Sequence, residues 1–320
     1  MKLLPDSKQP FLSKTRIFSI IIFLFAILLP LVIVDDYFRY LLVITAINAV
    51  LVIGLDITLG YAGRINLAQA GFWGIGAYAS AVASLNWGIP FWGGVVFAMI
   101  LSAAMAFFIG YPSLKLAGHY FVIITFVFGI ILTILFNNLL SITRGPMGLP
   151  GIPPVAIGHY QIINRVPYYY LTLFFILLVM IFKYKLINSR LGRALIAIRE
   201  GEALAESIGI NTHKYKIFAF TISAAIAGIA GALYAHFLSY IGPSSFTFEQ
   251  SMELFTMNLI GGAGTMAGPI IGTALLTVFA EVARNFSPAL ARIAFGLFLV
   301  LAIIFTPKGI MGLIEKVRNR

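Results

Sequence analysis

Asp56, Glu249, Glu253 and Glu281 are carboxylates in or beside stretches that are otherwise apolar. A charge in hydrocarbon is costly, so it persists where it acts or where a neighbour pairs with it. Asp56 and Glu253 lie beside two glycine-rich runs, Gly60–Gly63 and Gly261–Gly264, and for both a functional role and a helix-packing hydrogen bond stay open. Glu249 is expected near the outer interface, where water solvates it. So few buried charges do not make a proton relay, which points to energy supplied from elsewhere. The chain has no cysteine, which excludes disulfides, thiolate metal sites and cysteine nucleophiles. His119, His159, His213 and His236 have no ligand spacing and read as interfacial or packed residues. Neither glycine run is followed by the Lys-Ser/Thr of a phosphate loop, so no ATP site of that kind is expected. No Ser-His pairing or metal cluster suggests an embedded enzyme, and neither a catalytic residue nor a cofactor is expected.

The glycine runs themselves are the next candidates. Leu59–Tyr78 and Leu259–Pro269 break the helical pattern at membrane depth, and backbone freed there must be received by protein or by a water-filled cavity. The expected substrate pathway is lined by Gly60, Gly63, Asn66, Gln69, Gly261, Gly262, Gly264 and Thr265, with Asn66, Gln69 and Thr265 facing the cavity. Gly71, Gly74, Gly76, Gly268 and Gly272 read as residues that allow close helix packing.

These residues need elements to hold them. With 60% hydrophobic and 10% charged residues over 320 positions, and a mean hydropathy of +0.98, the chain cannot cover a water-soluble surface. Apolar stretches approach the ~20 residues that cross a ~30 Å hydrocarbon core, while the short alternating strands of a barrel are missing. The expected fold is all-α, a polytopic helical membrane protein of about ten membrane elements including Gly-broken helices. Those elements are Ile17–Val34, Tyr40–Leu59, Ala70–Leu85, Phe91–Tyr111, His119–Leu140, Tyr168–Phe182, Ile217–Leu238, Ser251–Ile260, Ala267–Ala283 and Ala289–Phe305. Ile17–Val34 follows Lys2, Lys8, Lys14 and Arg16 but ends in Asp35-Asp36 without a cleavage site, so it reads as a retained first helix. Ser141–Pro167, with Gly145-Pro146 and Pro153-Pro154, reads as a rigid turn-rich external loop, either a docking cap or a plain linker.

An inside N-terminus leaves only Arg39, Arg144, Arg165, Arg284 and Arg292 outside, so both termini are expected to be cytoplasmic. That bias accounts for the net charge of +11 without a nucleic-acid partner.

Between two apolar segments lies a basic, polar insert, Lys183–Lys216. Asn188 or Ser189 is a candidate N-cap, and Leu191, Ala194, Leu195 and Ile198 follow at helical spacing. Gly201 breaks the pattern before a second short helix that Gly209 caps. An apolar ridge rimmed by charges reads either as a helix for a partner's groove or as an interfacial helix on membrane lipid.

Gly192-Arg193-Ala194-Leu195, Ala197-Ile198-Arg199-Glu200, Glu206-Ser207-Ile208-Gly209-Ile210-Asn211 and Tyr215-Lys216 leading into Ala219–Ala224 resemble the permeases of branched-chain amino acid ABC importers. The likeness is to the second of their two permease types and covers nearly the whole chain. It implies a single permease domain over 1–320 in a bacterial or archaeal inner membrane. It also implies a second homologous permease, two cytoplasmic ATP-binding subunits that hydrolyse ATP, and an external solute-binding protein. The insert 183–216 becomes the coupling element, with Arg193, Leu195, Ile198, Arg199, Glu200, Glu202, Glu206 and Gly209 facing the ATPase. The chain departs from the Glu-Ala-Ala-x3-Gly loop of ABC importers, since Leu204 replaces the second Ala and Gly209 lies one residue too far from Glu202. The family implies leucine, isoleucine or valine as substrate, with urea or short amides as alternatives in the same class. A stand-alone secondary transporter or channel explains the glycine breaks but leaves the insert without a purpose.

Overall fold

Asp35 opens the first long helix by accepting the Tyr37 amide at 2.7 Å, and the helix behind it runs to Asp56. The computed structural model describes residues 27–116, 118–158, 160–286, 296 and 309–312. In chain order the helices are α1 Asp36–Asp56, α2 Gln69–Trp87, α3 Phe91–Ser113, α4 Gly118–Asn138, α5 Arg165–Ile187, α6 Arg190–Glu200, α7 Glu202–Ser207, α8 Thr212–Leu238, α9 Phe248–Gly261 and α10 Gly268–Phe286.

The core is α1, α2, α3 and α8, and α8 packs on the other three. Burial separates interior from periphery: 72% of the apolar window of α1 and of α8 is inside, against 33% for α3, 28% for α4 and 33% for α5. The outer faces carry Ile100, Phe108, Ile123, Ile134 and Ile181, as expected where the neighbour is lipid or another apolar helix. Close approach inside depends on missing side chains. A Cβ on Gly76 would run into the backbone of Gly228, and one on Gly228 would meet the Ala98 carbonyl.

Among the described residues, α1 with its extension, α3, α4, α5 and α8 are long and apolar enough to cross a membrane. The all-helical, multi-pass expectation holds, while the five span candidates among the described residues do not by themselves establish about ten membrane elements. α2 is less apolar than these five, α9 is short, and α10 is apolar only over Gly268–Ala283. Most of Ile17–Val34 and, apart from residue 296, all of Ala289–Phe305 lie outside the described residues.

One end of the bundle is closed by the segment read as a rigid loop, which contains short strands. Leu149–Pro150 pairs with Tyr240–Ile241, and Val155–Ile157 pairs with Tyr160–Ile162, both antiparallel. His236 of α8 links this cap to the core: it donates through Nδ1 to the Pro153 carbonyl at 2.7 Å, so Nε2 accepts from Ser80 Oγ at 2.9 Å. Trp73, Tyr234, Tyr78, Phe136 and Phe246 fill the space beneath with edge-on ring contacts.

Candidate functional site

The opposite end holds both backbone breaks and the insert. α1 widens at Asp56 into a π-helical turn, Ile57–Tyr61, closed by Ala62 N–H donating to Ile57 O at 3.3 Å. Arg64 N–H then bonds Thr58 O at 2.9 Å, and the chain runs without regular structure to α2. Polar side chains take up what the helix gives up. Asn66 Oδ1 accepts the Ala68 amide at 2.9 Å, and Asn66 Nδ2 donates to Gln69 Oε1 at 3.0 Å. Gln69 Nε2 reaches the Leu51 carbonyl, and Ser223 Oγ donates to Gln69 Oε1 at 3.2 Å. Asn66 and Gln69 are therefore fully buried and face neither cavity nor solvent, contrary to the expectation that they line one. They hold the break from behind.

The second break, 262–267, separates α9 from α10 and is pinned by residues of the first. Asp56 Oδ1 accepts the Gly264 amide at 2.7 Å, while Oδ2 takes Lys183 Nζ at 2.7 Å. Lys183 also donates to Thr265 O at 2.9 Å and lies 5.5 Å from the Tyr61 ring centre. Both charged side chains have zero exposure, so each is the other's counter-ion and the freed backbone supplies the remaining bonds. Gly60 must be glycine here, because a Cβ would overlap Asp56 Oδ1 and the Gly264 amide. Thr265 is half-buried, and its Oγ1 donates to Gly262 O at 2.7 Å.

The insert is attached to both breaks. Ser189 caps α6 by accepting the Leu191 and Gly192 amides at 3.1 and 3.3 Å. Arg199, in the last turn of α6, donates through Nη1 to the Gly60 carbonyl at 2.6 Å and through Nη2 to Glu200 at 2.7 Å. The same Nη1 lies where a Gly264 Cβ would be met at 2.8 Å. Glu202, at the start of α7, binds Arg64 and Lys216 and accepts from Thr212 Oγ1 at 3.3 Å. Partial burial pushes the Glu202 carboxyl up, but the Lys216 hydrogen bond and the Arg64 and Lys216 charges outweigh it, holding it below the ordinary value. Glu206 accepts from Thr212 Oγ1 at 2.6 Å. Ile210 N–H returns to Ala205 O and Gly209 N–H to Glu206 O, a Schellman ending that requires the positive φ of 85° at Gly209.

Two sequence expectations change. Leu195 and Ile198 were expected on an exposed ridge, but they are 1% and 4% exposed and pack on the chain's own helices. The open apolar side chains are Leu204 and Ile208, 72% and 70% exposed. Lys183, Lys185, Lys214 and Lys216 belong to α5 and α8, so the helices between the spans occupy only 190–207. Arg193 and Glu200 stay on the surface. The residue that sequence reasoning missed is Lys183, counted there only as an orienting cation. Its signal was helical register: it continues the buried stripe of Phe175, Ile176 and Val179, and Leu186 follows.

The described residues thus form a multi-pass helical bundle with two adjoining backbone breaks and a polar insert bonded to the first of them. The chain belongs to the family described as branched-chain amino acid transport system, permease component, which it matches over residues 37–305. It is 34% identical over 291 residues to the high-affinity branched-chain amino acid transport system permease protein LivM of Escherichia coli K12, covering 84% of this chain and 68% of that one. To LivH of the same organism it is 28% identical over 285 residues, covering 82% and 91% respectively. To the probable LivM of Methanocaldococcus jannaschii it is 27% identical over 237 residues, 68% of each chain.

Proposed function

We propose that this chain is the permease subunit of an ATP-driven importer of branched-chain or other hydrophobic amino acids. It is the second permease type of the pair and forms the pathway with a homologous first permease. The observation that carries this reading is the bond from Arg199 of the insert to Gly60 O at the seam of the two breaks. A channel or secondary transporter has no need to tie a polar appendage to its pathway, whereas an importer driven by separate ATPases does. In this reading 1–320 is one permease domain with both termini cytoplasmic in the bacterial or archaeal inner membrane. The insert 183–216 meets two cytoplasmic ATP-binding subunits, which hydrolyse the ATP, and an external solute-binding protein delivers the substrate at the strand-closed end.

The ATPase-facing surface is Leu204 and Ile208 rimmed by Arg193, Glu200 and Glu206, an apolar knob with charges around it. Leu195 and Ile198 anchor it from inside, Gly209 ends it, and Arg199 and Glu202 connect it to the bundle. Gly63, Gly264 and Thr265 border the pathway, where backbone amides and carbonyls offer passing contacts to a carboxylate and an ammonium, and the buried Gly60, Gly261 and Gly262 let the backbone close up behind them. Asn66 and Gln69 keep that border in place.

The test is uptake of radiolabelled leucine into vesicles containing this chain, its cognate permease and the two ATPases, with binding protein present. Uptake should require ATP and the ATPases and be competed by isoleucine and valine. Uptake that persists without the ATPases would return the chain to the channel or secondary-transporter class, and competition by urea or acetamide alone would move the substrate.

A further inference from the structure

Gly60 and Gly264 belong to different breaks, far apart in the chain, yet no side chain fits between them. Onto this seam converge three groups from three other elements. Asp56 holds the Gly264 amide, Lys183 holds the Thr265 carbonyl, and Arg199 holds the Gly60 carbonyl. Arg199 also presses along the first break beyond Gly60: a Cβ on Gly63 would lie 2.9 Å from its Cγ and 3.4 Å from its Cβ. Glu202, the next anchor of the insert, binds Arg64 on the same segment.

Bonds of this kind transmit displacement. A guanidinium bound to a main-chain carbonyl moves the backbone with it, since peptide geometry is stiff and the carbonyl has no rotamer in which to escape. The break is also soft, because its π-turn and the irregular residues after it lack the i to i−4 ladder that would resist bending.

We propose that Arg199 is a positioning residue that makes the insert and the two breaks one mechanical body, so that displacement of the insert is delivered directly to Gly60 and Gly264. Its side chain touches no substrate in this scheme. The proposal rests on the importer reading and adds the route by which ATPase motion reaches the pathway.

The naturally cysteine-free sequence supplies a clean test. In the complete importer, Arg199→Met keeps the aliphatic stem and removes the donors. Assembly and binding-protein-stimulated ATP hydrolysis should persist, while leucine accumulated per ATP falls about ten-fold, the scale of a coupling change along a transmission element. Arg199→Lys, which retains a charged donor, should recover part of that ratio. The pair Gly63→Cys with Arg199→Cys replaces the lost bond by a covalent one, since β-carbons 3.4 Å apart approach disulfide geometry. The reduced form should be uncoupled like Arg199→Met, and oxidation of the same preparation should raise the ratio several-fold above that of its own reduced form.

A native ratio in Arg199→Met overturns the proposal. So does a doubly substituted chain that stays uncoupled once the disulfide has formed, because the insert and break then do not work as one body. Failure of the disulfide to form refutes the proximity itself. The unsubstituted complex separates these results from the importer reading: if it shows no ATP-driven uptake, that reading falls, whatever the variants do.

Discussion

The two ends of the bundle are held by different chemistry. At the strand-closed end the buried links are mainly neutral: paired strands, a cluster of aromatic rings, Tyr168 Oη on the Leu233 carbonyl at 2.6 Å, and His236 between Ser80 and Pro153, while the Arg165–Asp36 ion pair there is exposed, at 3.8 Å. At the insert end they are ionic and directed at loose backbone, with Asp56, Lys183, Arg199, Glu202, Arg64 and Lys216 each bridging elements distant in sequence. Interlocked rings define one arrangement and resist others. Charged groups on carbonyls and amides can exchange one partner for a similar one, so the second end is built to shift while the first keeps its shape.

The comparison is broken most severely at Lys183. Lys183→Met should strand the Asp56 carboxylate in a dry setting and cost ~3–5 kcal/mol, whereas pairing it with Asp56→Leu should recover most of the loss. Thermal unfolding of the purified permease in detergent reads this directly, and a double variant no more stable than the single would show that the pair does not act as a unit. Smaller is the effect of Leu195→Asp, which forces a charge against apolar neighbours of α6, compared with Leu204→Asp and Ile208→Asp on the open knob. The first should lower membrane abundance. The other two should leave stability within about 0.5 kcal/mol, the range for surface changes, yet abolish co-purification with the ATPases. Normal co-purification of both knob variants would move the docking surface elsewhere.

At the neutral end His236→Ala leaves a hydroxyl and a carbonyl without their partner and should cost ~1–3 kcal/mol. Leucine uptake per folded molecule should be unchanged, because His236 is buried beneath the cap and only holds its shape. A drop in coupling with intact folding would erase the contrast between the ends. The mildest effect concerns pH. Glu202 is held below the ordinary 4.5, so its hold on Arg64 and Lys216 is complete above 4.5 and is lost as pH falls through the lower folded value. Its side chain is a third exposed, which keeps the contribution small. Hydrogen exchange in α7 should rise over that acid range in the native chain, and Glu202→Gln should already show the raised rate at neutral pH.

Most of the architecture was legible because apolar runs and glycine breaks are local. Expected Phe91–Tyr111 became α3, Ser251–Ile260 became α9 within three residues, and Ser189, Gly201 and Gly209 mark the starts and stops of the insert as their chemistry predicts. The direction in which α6 faces was not legible. Helical spacing identifies Leu195 and Ile198 as one stripe but cannot say whether the chain's own bundle or a partner covers it. The site was half legible for the same reason. Asp56 announced itself as a charge in an apolar run, but its partner lies in another helix, and Lys183 carried a competing explanation as an orienting cation. Asn66 and Gln69 drew attention by their polarity at a break, yet polarity serves equally to line a cavity or to repair a broken ladder, and here it repairs the ladder.

Buried α2 has a consequence for how the molecule is made. With Gln69, Ser80, Ser84 and its glycines, α2 falls outside the helices apolar enough to span on composition alone, yet nearly its whole surface is covered, chiefly by α3 and α8. An insertion machinery that sorts segments by hydrophobicity has weak grounds to release α2 into lipid when it emerges from the ribosome. Its neighbour α3 follows at once across the short Gly88–Pro90 turn and can carry it in as a hairpin, but α8 is synthesised only after α4, α5 and the insert. Until then Gly76 of α2 lacks its packing partner, Gly228 of α8. Secure residence of this helix in the bilayer is thus acquired late in biogenesis, and a chain stopped before α8 leaves α2 exposed to extraction and proteolysis.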